Sequence, residues 1–330
     1  MRPALHPRLI NGPFDDPGLF ISFLYEKRAI LFDLGDINSL SARDILKITH
    51  VFVTHTHMDH FIGFDRLLRL CLGRQKKLYM YGPKGFLLNV EGKLAGYSWN
   101  LVNQYKTGFD IIATEVHAEQ IISREYKCRD RFIPQKEASK STFNGILLKE
   151  PGLSVHAAIL DHKIPCIGLS IKEEFHVNIM KDRLLELGLE AGPWLKEFKQ
   201  ALYTSKDSDL EIEVKTSGKK ILLKKLKDTV ARITPGQKIA YITDVGFNKS
   251  NLQKIIKLAN NADHLFIEAV FLENLQDIAK KKYHLTARQA GMTARLANVK
   301  KLTLFHFSPR YQGEENLLYD EAQTAYRNVD

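Results

Sequence analysis

Thr54-His55-Thr56-His57-Met58-Asp59-His60 packs His55, His57, Asp59 and His60, all metal-ligating types, into one short run. The run continues His50-Val51-Phe52-Val53-Thr54, an apolar, β-branched segment that reads as a buried strand. His55 and His57 alternate at the end of that strand, so their rings project from the same side. Asp59 and His60 follow where the chain turns, and a helix through Phe64, Leu67 and Leu68 is expected next. Zinc takes nitrogen and oxygen ligands from His and Asp, and a catalytic zinc keeps one position open for water. A lone H-x-H reads as a polar turn, but H-x-H-x-D-H directly after a buried strand points to a metal centre.

One such cluster cannot complete two metal sites, so further ligands should lie at later strand ends. His162 follows the apolar run Val155-His156-Ala157-Ala158-Ile159-Leu160, after Asp161. Asp244 ends Tyr241-Ile242-Thr243, and His306 ends Leu302-Thr303-Leu304-Phe305. Three more ligand-type residues, each closing a separate strand, form the arrangement that a shared site needs.

The rest of the chain sets bounds on this reading. Its 330 residues are 44% hydrophobic and 26% charged, which is ordinary globular composition with room for a sizeable core. Cys71, Cys128 and Cys166 are few, scattered and without a C-x-x-C pair, which argues for a reducing compartment and against a thiolate zinc site. A net charge of +10 favours polyanionic partners. No signal peptide is evident in Met1 to Gly12, and no apolar run is long enough to span a bilayer, so the expected location is the cytoplasm.

Strands are expected at Phe20 to Leu24 and Ala29 to Phe32, paired across Glu26-Lys27-Arg28, and at Leu78 to Tyr81, ended by Gly82-Pro83 before a helix from Lys84. The middle, Gly108 to Lys172, reads as mostly β. After Glu173 the pattern turns to amphipathic helix, Met180 to Leu187 and Trp194 to Leu202, split by Gly192-Pro193. A polar stretch with Lys215, Lys219, Lys220, Lys224, Lys225 and Lys227 follows, and because it contains the apolar run Ile221-Leu222-Leu223, part of this segment should pack. Sheet and helix then resume with strands at Lys238 to Thr243, His264 to Ile267 and Leu302 to Phe305, and helices at Asn251 to Ala259 and Thr286 to Ala297. The reading is a single α/β domain over 1–330 carrying an insertion at about 176–236. Cys166, Trp99 and Trp194 are expected in the core. His6, His50, His117, His156, His176 and His264 stand alone, without assignment.

The sequence resembles the ribonuclease Z family, the tRNA 3′-processing endonuclease branch of the metallo-β-lactamase superfamily, from about Leu31 to Tyr311. The pieces that carry the resemblance are Phe32-Asp33-Leu34-Gly35, the histidine run, Tyr81-Gly82-Pro83-Lys84-Gly85, Asp161-His162 with Gly168, and Ala191-Gly192-Pro193. Further along come Thr243-Asp244, Glu268-Ala269, His284-Leu285-Thr286 and His306-Phe307-Ser308-Pro309-Arg310-Tyr311. The resemblance implies a four-layer αββα sandwich with an inserted helical, basic arm. It implies two divalent ions, zinc with manganese as the alternative. His55, His57 and His162 would hold one, Asp59, His60 and His306 the other, with Asp244 bridging. Asp59 and the pair His284–Glu268 would be catalytic, His284 giving a proton to the leaving oxygen. Two cations can clamp a phosphodiester, and metal coordination ionises water near neutral pH.

RNA, in particular precursor tRNA, is the implied partner, and a homodimer the implied assembly. The arm, through Gly192, Pro193, Lys224 and Lys225, would grip RNA by shape and charge, with Lys281 and Arg310 on phosphates beside the cut. Some features depart from the family. Asp33-Leu34-Gly35 runs into Asp36-Ile37-Asn38 where Gly-Thr-Gln is usual, Ile242-Thr243-Asp244-Val245 replaces Ser-Gly-Asp-Thr, and Asn11-Gly12-Pro13 stands in place of the usual N-terminal pattern. These leave the ligands intact and bear on substrate. A phosphodiesterase for cyclic nucleotides or small diesters, and a non-catalytic RNA-binding member of the fold, are the alternatives.

Overall fold

The early strands are apolar on both faces, which requires cover on both faces. A computed structural model, which describes residues 4–24, 26–134, 138–205, 209–214 and 218–327, shows how each face is covered. Lys215 lies outside the described residues. The first sheet runs in chain order: β1 (Leu5–Leu9), β2 (Leu19–Phe23), β3 (Ala29–Phe32), β4 (Ile48–Phe52), β5 (Lys76–Pro83), β6 (Phe109–Val116), β7 (Gln120–Lys127) and β8 (Ser139–Thr142). Strands β3 to β6 are parallel to one another. The chain continues through β9 (Ile146–Glu150), β10 (Leu153–Asp161), β11 (Pro165–Glu173), β12 (Phe175–Ile179), β13 (Glu211–Val214), β14 (Lys219–Leu222) and β15 (Ala231–Pro235). Strands β16 (Lys238–Ile242), β17 (His264–Glu268) and β18 (Leu302–Phe305) complete a second sheet of order β18-β17-β16-β11-β10-β9.

Side chains alternate between faces along a strand. Leu31 and Val51 join helices Phe64–Cys71 and Phe86–Ala95 in one apolar cluster. Their neighbours Phe32 and Phe52 lie outside that cluster, and Phe32 meets Tyr241 of β16 at 6.0 Å between ring centroids. On the second sheet, Ala240, Ile242, Leu265 and Leu304 pack with helices Lys249–Ala259, Ala287–Leu296 and Glu315–Arg327. Tyr241 and Phe305 lie outside this second cluster and stack at 5.0 Å. The layers are therefore helix, sheet, sheet, helix.

The chain forms two compact units. The first comprises Met1–Leu147, His156–Ser170 and Lys238–Asp330; the second comprises Leu148–Val155 and Ile171–Gln237. The second unit holds helices Lys181–Glu186, Trp194–Thr204 and Leu223–Val230, the hairpin β13–β14 and the antiparallel pair β12–β15. Trp194, Phe198, Leu226 and Val230 form its core, with Ile212 and Val214 from the hairpin. The lysine-rich stretch is thus more ordered than its polarity suggests. Leu223, Leu226 and Val230 are buried at helical spacing, while Lys224, Lys225 and Lys227 stay exposed.

Several boundaries differ from the sequence reading. Strand β4 ends at Phe52, so His55 and His57 sit on a loop, and His57 caps the short helix Met58–Phe61. Strand β5 runs through Gly82-Pro83 because its backbone pairs with Glu115 and Val116 of β6. Helices Gln276–Lys282 and Glu315–Arg327 and strands β12 and β15 are additional to the elements expected from the sequence. Among the described residues, no helix is long and apolar enough to cross a membrane.

Two glycines allow the histidine run to lie against β3. A Cβ on Gly35 would stand 2.4 Å from the Asp59 carbonyl oxygen, and one on Gly63 would stand 2.3 Å from that of Gly35. Gly92, inside helix Phe86–Ala95, faces open space. Gly35→Ala is therefore expected to destabilise by about 1–3 kcal/mol through overpacking. Gly92→Ala should stabilise by about 0.5–1 kcal/mol through helix propensity. Denaturation midpoints of the two variants check this; shifts of the same sign would contradict it.

Candidate metal centre

Parallel strands from both sheets deliver the site at their carboxyl ends. Asp33 follows β3, the histidine run follows β4, Asp244 follows β16 and His306 follows β18, while Glu268 is the last residue of β17. Asp33, Asp244 and His306 all adopt left-handed backbone, with φ of 59°, 50° and 61°. Each such turn costs on the order of 1–3 kcal/mol and persists only where its surroundings over-determine it. His162 comes from the turn between β10 and β11, and His284 from the turn after helix Gln276–Lys282.

The buried Asp33 carboxylate organises the run. Its Oδ1 accepts from Thr54 N at 2.7 Å. Its Oδ2 accepts from Thr54 Oγ1 at 3.0 Å, His60 Nδ1 at 2.9 Å and Tyr241 Oη at 3.0 Å. A carboxylate only accepts, so His60 carries its proton on Nδ1 and turns Nε2 toward Asp244 Oδ2, 2.9 Å away. Thr54 has spent its hydroxyl proton on Asp33, so its oxygen accepts from His55 Nδ1 at 3.2 Å. His162 Nδ1 donates to the Tyr283 carbonyl at 2.7 Å. Three rings thereby turn Nε2 inward, which is how second partners orient imidazole for a metal.

The ligand-type atoms converge. Those of His55, His57, His162 and Asp244 lie within 4.8 Å of one another, as do those of Asp59, His60 and His306. Asp244, Glu268, His284 and His306 form a third such group. His55 Nε2 is buried without a hydrogen-bond partner, an arrangement that costs free energy in a bare protein and suits a cation. The donor set, imidazole with carboxylate, fits zinc or manganese.

Charge in the centre is tightly linked. Burial, then the neighbouring His60, pushes His55 down to about 2. Burial alone would lower His306, but the Asp244 carboxylate, the hydrogen bond to Asp59 and the nearby Glu268 carboxylate push it up to about 10. Burial would raise Asp59, yet its hydrogen bond to His306 and the neighbouring His60 ring hold it below the usual carboxylate range. Glu268 accepts from Val245 N at 3.1 Å, Leu285 N at 3.0 Å and His284 Nδ1 at 2.9 Å. It therefore ties the loop after Asp244 to the loop bearing His284. Burial opposes protonation of His284, and the Glu268 carboxylate reverses this and raises it.

Beside the centre lies a cavity of about 270 Å³ lined by Asp59, His284, His306, Phe271 and Lys282, with Phe14, Asp15 and Asp16 from the N-terminal loop.

No family model matches the chain. It is 28% identical over 286 residues to "Ribonuclease Z" of Deinococcus radiodurans, covering 86% of this chain and 83% of the relative. The "Ribonuclease Z" of Thermococcus sibiricus is 27% identical over 303 residues, with 89% and 82% covered. Among solved structures, the metallo-β-lactamase fold protein YhfI from Bacillus subtilis superposes with a TM-score of 0.55 at 15% identity, covering 97% of this chain and 92% of that one. Human tRNase Z, short form (ELAC1), gives 0.51 at 19%, with 93% of each chain covered. The chain is a ribonuclease Z-like hydrolase of the metallo-β-lactamase fold. Its chemistry is metal-dependent.

In this ribonuclease Z-like frame the structure brings His55, His57, Asp59, His60, His162, Asp244, Glu268, His284 and His306 together. Lys282, rather than the adjacent exposed Lys281, lines the cavity. Its Nζ lies 5.9 Å from the Phe271 ring, and Arg310 covers the same ring at 5.3 Å. Gly192, Pro193, Lys224 and Lys225 lie in the second unit. Asp33, Thr54 and Tyr241 were missed as site residues. The Asp-Leu-Gly turn after β3 was the available signal for Asp33; nothing marks Tyr241, whose partner lies 208 residues away.

Asp33→Asn keeps the shape but replaces an acceptor-only group, so His60 loses its fixed tautomer. Metal affinity is expected to fall about 10–100-fold, read by competition with a chromogenic chelator. Unchanged affinity would rule out the organising role given to Asp33.

Proposed function

We propose that the chain is an endoribonuclease that removes the 3′ trailer of precursor tRNA, with two divalent ions, zinc in preference to manganese. His55, His57 and His162 would hold one ion, Asp59, His60 and His306 the other, and Asp244 would bridge them. The observation that carries the reading is His284, held by buried Glu268 at 2.9 Å, with its ring 5.0 Å from that of His162 and 5.7 Å from that of His306. Bound ions would supply ionised water and offset the charge of the phosphate. Water attacks phosphorus, the bond from phosphorus to the ribose 3′ oxygen breaks, and that oxygen takes a proton. His284 commits Nδ1–H to Glu268, so Nε2 is the nitrogen that faces the leaving oxygen. The products are a tRNA with a free 3′ hydroxyl and a trailer with a 5′ phosphate.

Binding of a folded RNA is supported by the second unit. Lys219, Lys220, Lys224, Lys225 and Lys227 are all exposed there, and Gly192-Pro193 leads into helix Trp194–Thr204. Such lysines neutralise phosphates without reading sequence. Assembly as a homodimer in the cytoplasm belongs to the same proposal.

A tRNA transcript with a 3′ extension should be cut once to give a 5′-phosphorylated trailer. His284→Ala is expected to slow this about 10²–10⁴-fold while metal content stays the same. Hydrolysis of a small chromogenic diester without any cut in tRNA would favour the small-diester reading instead. Tight RNA binding by metal-free, inactive protein would favour the non-catalytic one.

A further inference from the structure

Parallel strands β3 to β6 end along one edge of the first sheet, and the residues after each end change in order. Asp33 follows β3, His55 and His57 follow β4, Lys84 follows β5 and His117 follows β6. Neighbouring strands stand ~4.8 Å apart, so Lys84 and His117 lie about one and two strand spacings from the end of β4. A groove of about 830 Å³ opens there, reaching from Lys84 across the β6–β7 turn to Lys140, Ser141 and Thr142 of β8. Its other wall is Ile159 and Pro165, which flank the turn that carries His162. The metal centre and the groove therefore share one structural part, the β10–β11 turn that carries His162.

The lining suits a sugar–phosphate backbone. Lys84 and Lys140 are exposed cations, and Ser141 and Thr142 add hydroxyls on a strand exposed at every position. Among the described residues β8 pairs only with β7, which leaves its outer edge open to hydrogen bonding. One carboxylate, Glu119, also lines the groove, and His117 Nε2 lies 2.8 Å from Glu115. Phenyl, phenol and indole rings are missing from the lining among the described residues, so base stacking contributes little and contacts fall on phosphate and sugar.

The ribose that leaves must sit by His284, in the smaller cavity with Phe271 and Lys282. The strand that continues past the phosphate needs a second exit. We propose that the groove between Lys84 and Lys140 binds the single-stranded RNA backbone immediately 3′ of the scissile phosphate, with these two lysines as its phosphate contacts. The orientation rests on the endoribonuclease reading above.

The test uses a 5′-phosphorylated octaribonucleotide, the chemical form of a released trailer, and the full-length metal-loaded protein. Fluorescence anisotropy should give at least tenfold weaker binding for Lys84→Glu/Lys140→Glu, at an unchanged melting midpoint and metal content. The slope of log affinity against log salt should shrink by about 1.4, at ~0.7 per phosphate contact on a single strand. Equal binding and equal slope in wild type and variant would overturn the groove, as would wild type that binds no oligonucleotide. Lysine-dependent binding by a protein that cuts no precursor tRNA would retain the groove and remove the tRNA reading.

Discussion

The Asp33 carboxylate sits at 0% exposure and accepts from Thr54 N, Thr54 Oγ1, His60 Nδ1 and Tyr241 Oη. A buried charge is tolerable only with such a set of donors. Because the donors come from the histidine run and from β16, two segments far apart in the chain, satisfying one carboxylate fixes four things together. The loop after β4 is closed onto β3, and the rings of His60 and, through Thr54, His55 take defined tautomers. The first sheet is also tied to β16 of the second through Tyr241.

The site inherits its geometry from that joint. Parallel strands share a direction, so their carboxyl ends line up, and two such sheets in contact bring two rows of ends to one place. Asp33 and the histidine run come from one row, Asp244, Glu268 and His306 from the other. Left-handed turns at Asp33, Asp244 and His306 aim the side chains inward, and Glu268 braces the second row as Asp33 braces the first. Gly35 and Gly63 let the helix of Asp59 and His60 approach β3 more closely than any side chain would permit.

Much of this was legible in the residues. Strands such as Ala29–Phe32 and Leu302–Phe305 are short, apolar and bounded by turns, so their limits could be read directly. The cluster of ligand types in the histidine run is dense enough to stand out without any alignment. The lone His162, Asp244 and His306 acquire meaning through their place after strands. Asp33 was harder, because its role depends on partners between 21 and 208 residues away. The lysine-rich stretch misled for the opposite reason. Its charges dominate the composition, and the spacing of Leu223, Leu226 and Val230, which builds a helix, is easily lost among them. Lys281 and Lys282 differ only in where the last turn of their helix leaves them, which spacing alone does not resolve.

The central claim is that one carboxylate and two rows of strand ends preorganise a centre for two ions. A crystal structure of the metal-loaded protein, with anomalous scattering at the metal edge, tests it most directly. The account predicts two ions about 3.5–4 Å apart, one on His55, His57 and His162, the other on Asp59, His60 and His306, with Asp244 between them. A single ion held by Asp244, Glu268, His284 and His306, the third group that the geometry offers, would contradict it.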